Sequence, residues 1–163
     1  MQALAEYLKH RAERSFRAVL KALEYISPEQ ARRDHHDRWP DHIYGIGQDG
    51  SIAGIVYHLA AWKQLTLPLF QPGGRALSRH EFDPSAAPAL DDWFNLVAWY
   101  KQVGTAWQAE LERLPPEALT ETRRWEGHEI TMPQFIAELY EHDVYHLAQI
   151  EYLLQKHRAD AQA

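Results

Sequence analysis

The sequence predicts an all-α domain: a four-helix bundle of up-down type with a long crossover connection. Three observations carry that prediction. Four segments repeat apolar residues at helical spacing, and the connections between them are long and rich in Pro and Gly. The apolar fraction of 45% and charged fraction of 25% are those of a globular chain rather than a disordered one. With 163 residues, the chain is expected to be a single domain spanning 1–163 with a core of its own.

The first helix is expected from about Ala3 to Ile26, where Leu4, Leu8, Ala12, Val19, Ala22, Leu23 and Ile26 lie broadly on one side. Ser27-Pro28 ends it, because the residue before proline is pushed out of the α region. Ser51 is a good N-cap for the second helix, which carries Ile52, Ile55, Leu59 and Trp62 at spacings of three and four and fades before Pro68. The third is the cleanest. Leu90, Trp93, Val97, Tyr100, Gly104, Trp107, Leu111 and Leu114 form an unbroken seam of the kind that packs antiparallel helices, and Pro115-Pro116 stops it.

The fourth helix is expected from Pro133, a residue suited to the first turn, to about Lys156. The stretch from Arg123 to Ile130, around Gly127, reads as a small hairpin. Strands otherwise play no large part. The connections from Ser27 to Gly50 and from Leu67 to Pro88 have the length of crossover or functional loops.

Composition narrows the chemistry. The formal net charge of −6 argues against a nucleic-acid-binding domain, whose usual footprint is basic. The longest nearly apolar run, Ile52 to Trp62, is too short to span a bilayer. Glu6, Lys9, Arg11, Glu13 and Arg14 stand where a signal peptide would need an apolar stretch, so the expectation is a soluble cytoplasmic protein. There are ten histidines and no cysteine. Disulfides, a Cys nucleophile and thiolate metal sites are excluded, and a metal site would be built from His and carboxylates.

On the fourth helix, with Phe135 as zero and about 100° per residue, His142 falls at about −20° and His146 at about 20°. Both are in the middle of the apolar stripe made by Phe135, Leu139, Ile150 and Leu153. A lone histidine on such a face is ordinarily a core residue bonded to a carbonyl. Two of them four residues apart converge on one point, and burying both without a partner would be costly. A divalent metal resolves that cost.

A third ligand is expected from a facing helix, and His58, on the margin of the second stripe, is the candidate. His10, His35, His36, His42, His80, His128 and His157 fit less well, although a loop histidine could fold over the site. Three imidazoles leave open positions on a metal, the pattern of a catalytic site. Zn(II), Ni(II) and Fe(II) all accept imidazole nitrogen. Gln149 and Tyr100 are polar groups aimed inward, suited to supporting a ligand or touching substrate. Trp62, Trp93 and Trp107 read as core. The stretch from His142 to His146 also looks like the zinc-protease motif H-E-x-x-H, with Asp143 in place of Glu. The third ligand that such proteases take downstream has no counterpart at the expected spacing, which argues against a protease. By helical phase, at about 80°, Asp143 is expected beside the site, where it could orient a ligand.

Two segments carry a family resemblance. Ser51 to Trp62 (SIAGIVYHLAAW) resembles the second-helix segment of the DinB-like (YfiT-like) metalloenzymes, and Glu141 to Ile150 (EHDVYHLAQI) resembles their last-helix segment, H-x-x-x-H followed by x-x-Gln. Ala148 stands where the family usually has a small residue, often Gly. The resemblance covers nearly the whole chain. It implies a four-helix bundle with a crossover, a metal triad of His58, His142 and His146, a nickel, zinc or other divalent ion, and a homodimer. Characterised members implied by it include S-transferases and an isomerase using low-molecular-weight thiols. The expected function is therefore a metal-dependent enzyme activating a small thiol or water on a small-molecule substrate. The competing expectation is a metal-binding or stress-response bundle without turnover.

Overall fold

Four long helices and one hairpin build the molecule. The computed structural model describes residues 1–33, 45–125 and 127–160. Its helices are α1 (Gln2–Leu23), the short α2 (Pro28–Arg32), α3 (Ile52–Thr66), α4 (Trp93–Arg113) and α5 (Met132–Asp160). Strands β1 (Thr122–Trp125) and β2 (His128–Thr131) pair antiparallel, with Arg123 opposite Ile130. This is the hairpin expected from the sequence, one residue longer at each end.

The boundaries follow local chemistry. Ser27 stops α1 early because it caps α2 instead, through a reciprocal capping box with Gln30. Ser51 Oγ accepts the Gly54 N–H at 3.0 Å and starts α3 where the sequence placed it. The third long helix begins at Trp93 rather than Leu90, because Asp92 accepts the Asn95 N–H and fixes the first turn there. Helix α5 continues past Lys156 to Asp160, and His157 is buried on it rather than frayed. The stretch from 71 to 92 contains short 3₁₀ turns and one isolated β-bridge, from Arg75 to Arg124 of β1.

Helix α1 packs against α5 and α4, and α3 packs against the same two. The consecutive pairs α1 with α3 and α4 with α5 therefore lie across the bundle diagonal, and long connections are what permit it. Gly104 on α4 is needed for one of these contacts, since a Cβ there would overlap the Phe16 ring of α1. No helix among the described residues is long and apolar enough to cross a membrane.

The core falls into two apolar clusters, one at each end of the bundle. One joins Phe16, Val19, Ile52, Leu59, Leu96, Tyr100 and Ile150. The other joins Leu8, Ala12, Phe70, Trp107, Leu111, Phe135 and Leu139. Between them runs a polar layer. Ser15, His58, Lys63, Asp143 and His146 are each at most 6% exposed, and all lie along this seam.

Candidate metal centre

Helix α3 is buried on nearly every side, and His58 is 6% exposed within it. Burial makes each ring nitrogen's partner matter. The Nδ1 of His58 donates to the carbonyl of Ile46 at 3.2 Å. That carbonyl is held by a tight turn, in which Gly45 N–H meets Gln48 Oε1 at 2.8 Å and Gln48 N–H meets the Gly45 carbonyl at 3.2 Å. Gly45 also lies flat against the imidazole, and a Cβ at this position would overlap Cε1 of His58.

The other two rings come from α5. Residues four apart share a helix face, and His142 Nε2 lies 3.1 Å from His146 Nε2. It lies 3.0 Å from His58 Nε2 across the bundle. The Nδ1 of His146 donates to Gln149 Oε1 at 2.6 Å, and the same amide donates from Nε2 to Tyr145 Oη at 3.2 Å. All three ligand nitrogens lie within 4.8 Å of one another, and they form the one such group of three among the described residues.

Tautomers decide what this group can do. Donation through Nδ1 leaves His58 and His146 with a bare lone pair on Nε2. Both lone pairs face His142 Nε2, which carries at most one proton. At most one of the two short contacts can then be an N–H···N bond, and the other sets lone pair against lone pair. A divalent cation among the three nitrogens relieves this. Metal–imidazole bonds of about 2.0–2.1 Å place neighbouring ligand nitrogens roughly 3 Å apart, the spacing found for the two pairs that include His142.

The electrostatics agree. Burial, then the charge His146 would carry, then Arg79, hold His58 down to about 3 against the pull of the Ile46 bond. Burial and the two neighbouring rings, with Lys63 adding to them, hold His142 to about 2. Burial lowers His146 to about 4 although the Gln149 bond opposes it. Each ring is neutral at neutral pH, the form in which imidazole binds a metal.

Aromatic side chains flank the triad. The Trp62 ring lies 6.2 Å from His58 and 6.3 Å from His142, and 5.8 Å from Trp125 of β1. Arg79 stands over the Trp62 face at 5.8 Å. Trp62 is half-buried beside the triad and belongs to neither core cluster, whereas Trp93 and Trp107 are core as expected.

The remaining residues named from the sequence divide. Gln149 orients His146 directly, as a supporting residue should. Asp143 bonds Lys63 Nζ at 2.8 Å and Ser15 Oγ at 3.3 Å, and no triad ring is among its hydrogen-bond partners. Tyr100 is fully buried on α4, where burial and the Asp143 charge hold its phenol well above its ordinary range. His10, His80 and His128 are exposed. His35, His36 and His42 lie outside the described residues.

Three features were missed from sequence. The Ile46 carbonyl carries no side-chain signal, but Gly45 and Gly47, which flank Ile46, mark a turn made for close approach. Lys63 was passed over, although it is the single charged residue of α3 and is 3% exposed. Trp125 sits on the hairpin, and nothing in its local pattern ties it to α3.

A family model described as the DinB superfamily matches residues 10–150. The chain is also similar in structure to YfiT from Bacillus subtilis, described as a probable metal-dependent hydrolase with an unusual four-helix bundle topology. That similarity has a TM-score of 0.67 and 16% identity, over 93% of this chain and 86% of the other, and it shows the fold. No curated protein matches the chain in sequence.

Proposed function

Because the chain belongs to the DinB superfamily and brings three neutral imidazoles to one point, we propose that it is a metal-dependent enzyme whose His58, His142 and His146 hold a divalent ion. The observation that carries this reading is the outward engagement of Nδ1 on His58 and His146, by Ile46 and Gln149, which turns Nε2 of each ring inward. Zinc and nickel suit the imidazole set, and Fe(II) also accepts it. A divalent ion held by three imidazoles keeps open positions, where it lowers the pKa of water or of a thiol and polarises a carbonyl.

The chain's own residues bind and orient. The Ile46 carbonyl and Gln149 fix two tautomers. Trp62 and Trp125 pack edge to face on one side of the triad and form an aromatic wall there. The description of YfiT as a probable metal-dependent hydrolase favours water as the activated group. With no cysteine in the chain, the thiol of a transferase reaction would arrive as a cosubstrate.

Protein loaded with Zn(II) or Ni(II) and offered esters, amides and electrophiles, with and without a low-molecular-weight thiol, separates these routes. Acid release without thiol supports hydrolysis, and thiol consumption supports transfer. Absence of both across metals would overturn the enzymatic reading in favour of a binding protein. Two copies of the chain are part of the proposal, so light scattering should give twice the 19.0 kDa of one chain.

A further inference from the structure

A buried ion pair lies in the same polar layer as the triad and takes no part in the chemistry just described. Lys63 Nζ and Asp143 Oδ2 are 2.8 Å apart, with side chains 4% and 2% exposed. Ser15 Oγ lies 3.3 Å from the same carboxylate oxygen and 3.0 Å from the Ala12 carbonyl, and its one proton is shared between these two acceptors. The ammonium lies 5.4 Å from the Trp107 ring and 6.0 Å from the Phe16 ring. Phe16 belongs to one core cluster and Trp107 to the other, so the pair sits at the junction of the two.

Stability is a poor reason for such a pair. Removing two charges from water is costly, and an apolar pair of similar volume often serves a core as well or better. What an apolar pair lacks is direction. A charged hydrogen bond fixes the offset between two helices, whereas apolar side chains tolerate slippage.

The two helices joined are those that carry the triad. Lys63 is five residues beyond His58 on α3, and Asp143 immediately follows His142 on α5. The helix itself fixes His142 relative to His146, but nothing within α5 fixes His58. Nor can three neutral rings hold one another, since at most one of their short contacts is a good hydrogen bond. The offset of α3 against α5 must be held by other groups for the third ligand to meet the first two.

We propose that Lys63 and Asp143 are positioning residues of the metal centre, whose ion pair presets α3 against α5 so that His58 completes the site. The pair sets metal affinity and coordination geometry more than it sets fold stability. Ser15 holds the carboxylate from α1 and so ties the device to the rest of the bundle. This rests on the reading that the triad binds a metal.

The test uses Co(II) as the probe, on the full chain stripped of metal. The double variant Lys63→Met/Asp143→Leu replaces the pair with apolar side chains of similar size. The expected result is a metal-free melting temperature at or above wild type, Co(II) affinity at least about tenfold weaker, and displaced visible bands. Wild-type affinity and band positions in the double variant overturn the proposal. Should the double variant fail to unfold cooperatively, Asp143→Glu decides the matter, because it keeps the charges but lengthens the link by one methylene. Weakened Co(II) binding with a native far-UV spectrum supports a positioning role, and unchanged binding and bands overturn it. Wild-type protein that binds no Co(II), Zn(II) or Ni(II) would instead overturn the metal reading itself.

Discussion

Gln149 Oε1 accepts a 2.6 Å hydrogen bond from Nδ1 of His146, one turn earlier on the same helix. The bond assigns the ring's proton to its outer nitrogen and leaves the inner one with a bare lone pair. Replacing Gln149 with Leu removes the acceptor and frees the ring to take the other tautomer or to rotate. Metal affinity should fall about 10–100-fold with the fold retained. Gln149→Glu, which keeps an acceptor at the same place, should recover most of it. Titration with Zn(II) against a competing chromophoric chelator reads both.

Gly45 bears on His58 as Gln149 bears on His146, but through backbone. A methyl group at position 45 would occupy space held by the His58 ring. In Gly45→Ala either the turn or the ring must shift, weakening the Ile46 bond. A stability loss of about 1–3 kcal/mol is expected, together with weaker metal binding. Urea unfolding and the same chelator titration check the two effects separately.

The three depressed imidazoles make the metal-free protein acid-sensitive in a defined window. Unfolded, each ring takes a proton near 6.5; folded, they hold out to about 3, 2 and 4 for His58, His142 and His146. The unfolded state therefore binds more protons below 6.5. Stability is fully present above that pH and is lost as the pH falls toward 4, by up to about 1.4 kcal/mol per pH unit for each ring. Urea midpoints of chelator-treated protein between pH 7.5 and 4.5 should show this slope, and His146→Gln should reduce it.

The close approach of α1 to α4 makes a prediction independent of the site. Gly104→Ala places a methyl against the Phe16 ring and should cost about 1–3 kcal/mol. Combining it with Phe16→Leu should recover part of the loss. Thermal unfolding of the single and double variants measures the coupling.

The long helices were legible because each buries a continuous apolar stripe between clear stop signals such as Ser27-Pro28 and Pro115-Pro116. The two α5 histidines of the triad were legible for the same reason, as polar residues placed where an apolar stripe demanded otherwise. His58 needed a second helix, and its selection rested on its place at the margin of the α3 stripe. Asp143 was harder. Its phase puts it near the site, but its partner Lys63 is 80 residues away, and only tertiary packing turns the carboxylate to that ammonium. The diagonal order of the helices was also hidden, because a 3.6-residue period says which face is buried but not which neighbour covers it.

Metal content per chain, before and after removal of single rings, tests the triad most directly. Protein stripped of metal, reloaded with excess Zn(II) or Ni(II) and desalted should retain about one ion per chain by mass spectrometry of the elements. His58→Ala, His142→Ala and His146→Ala should each retain little or none while keeping the helical circular dichroism of wild type. Equal metal content in wild type and all three variants would contradict the assignment.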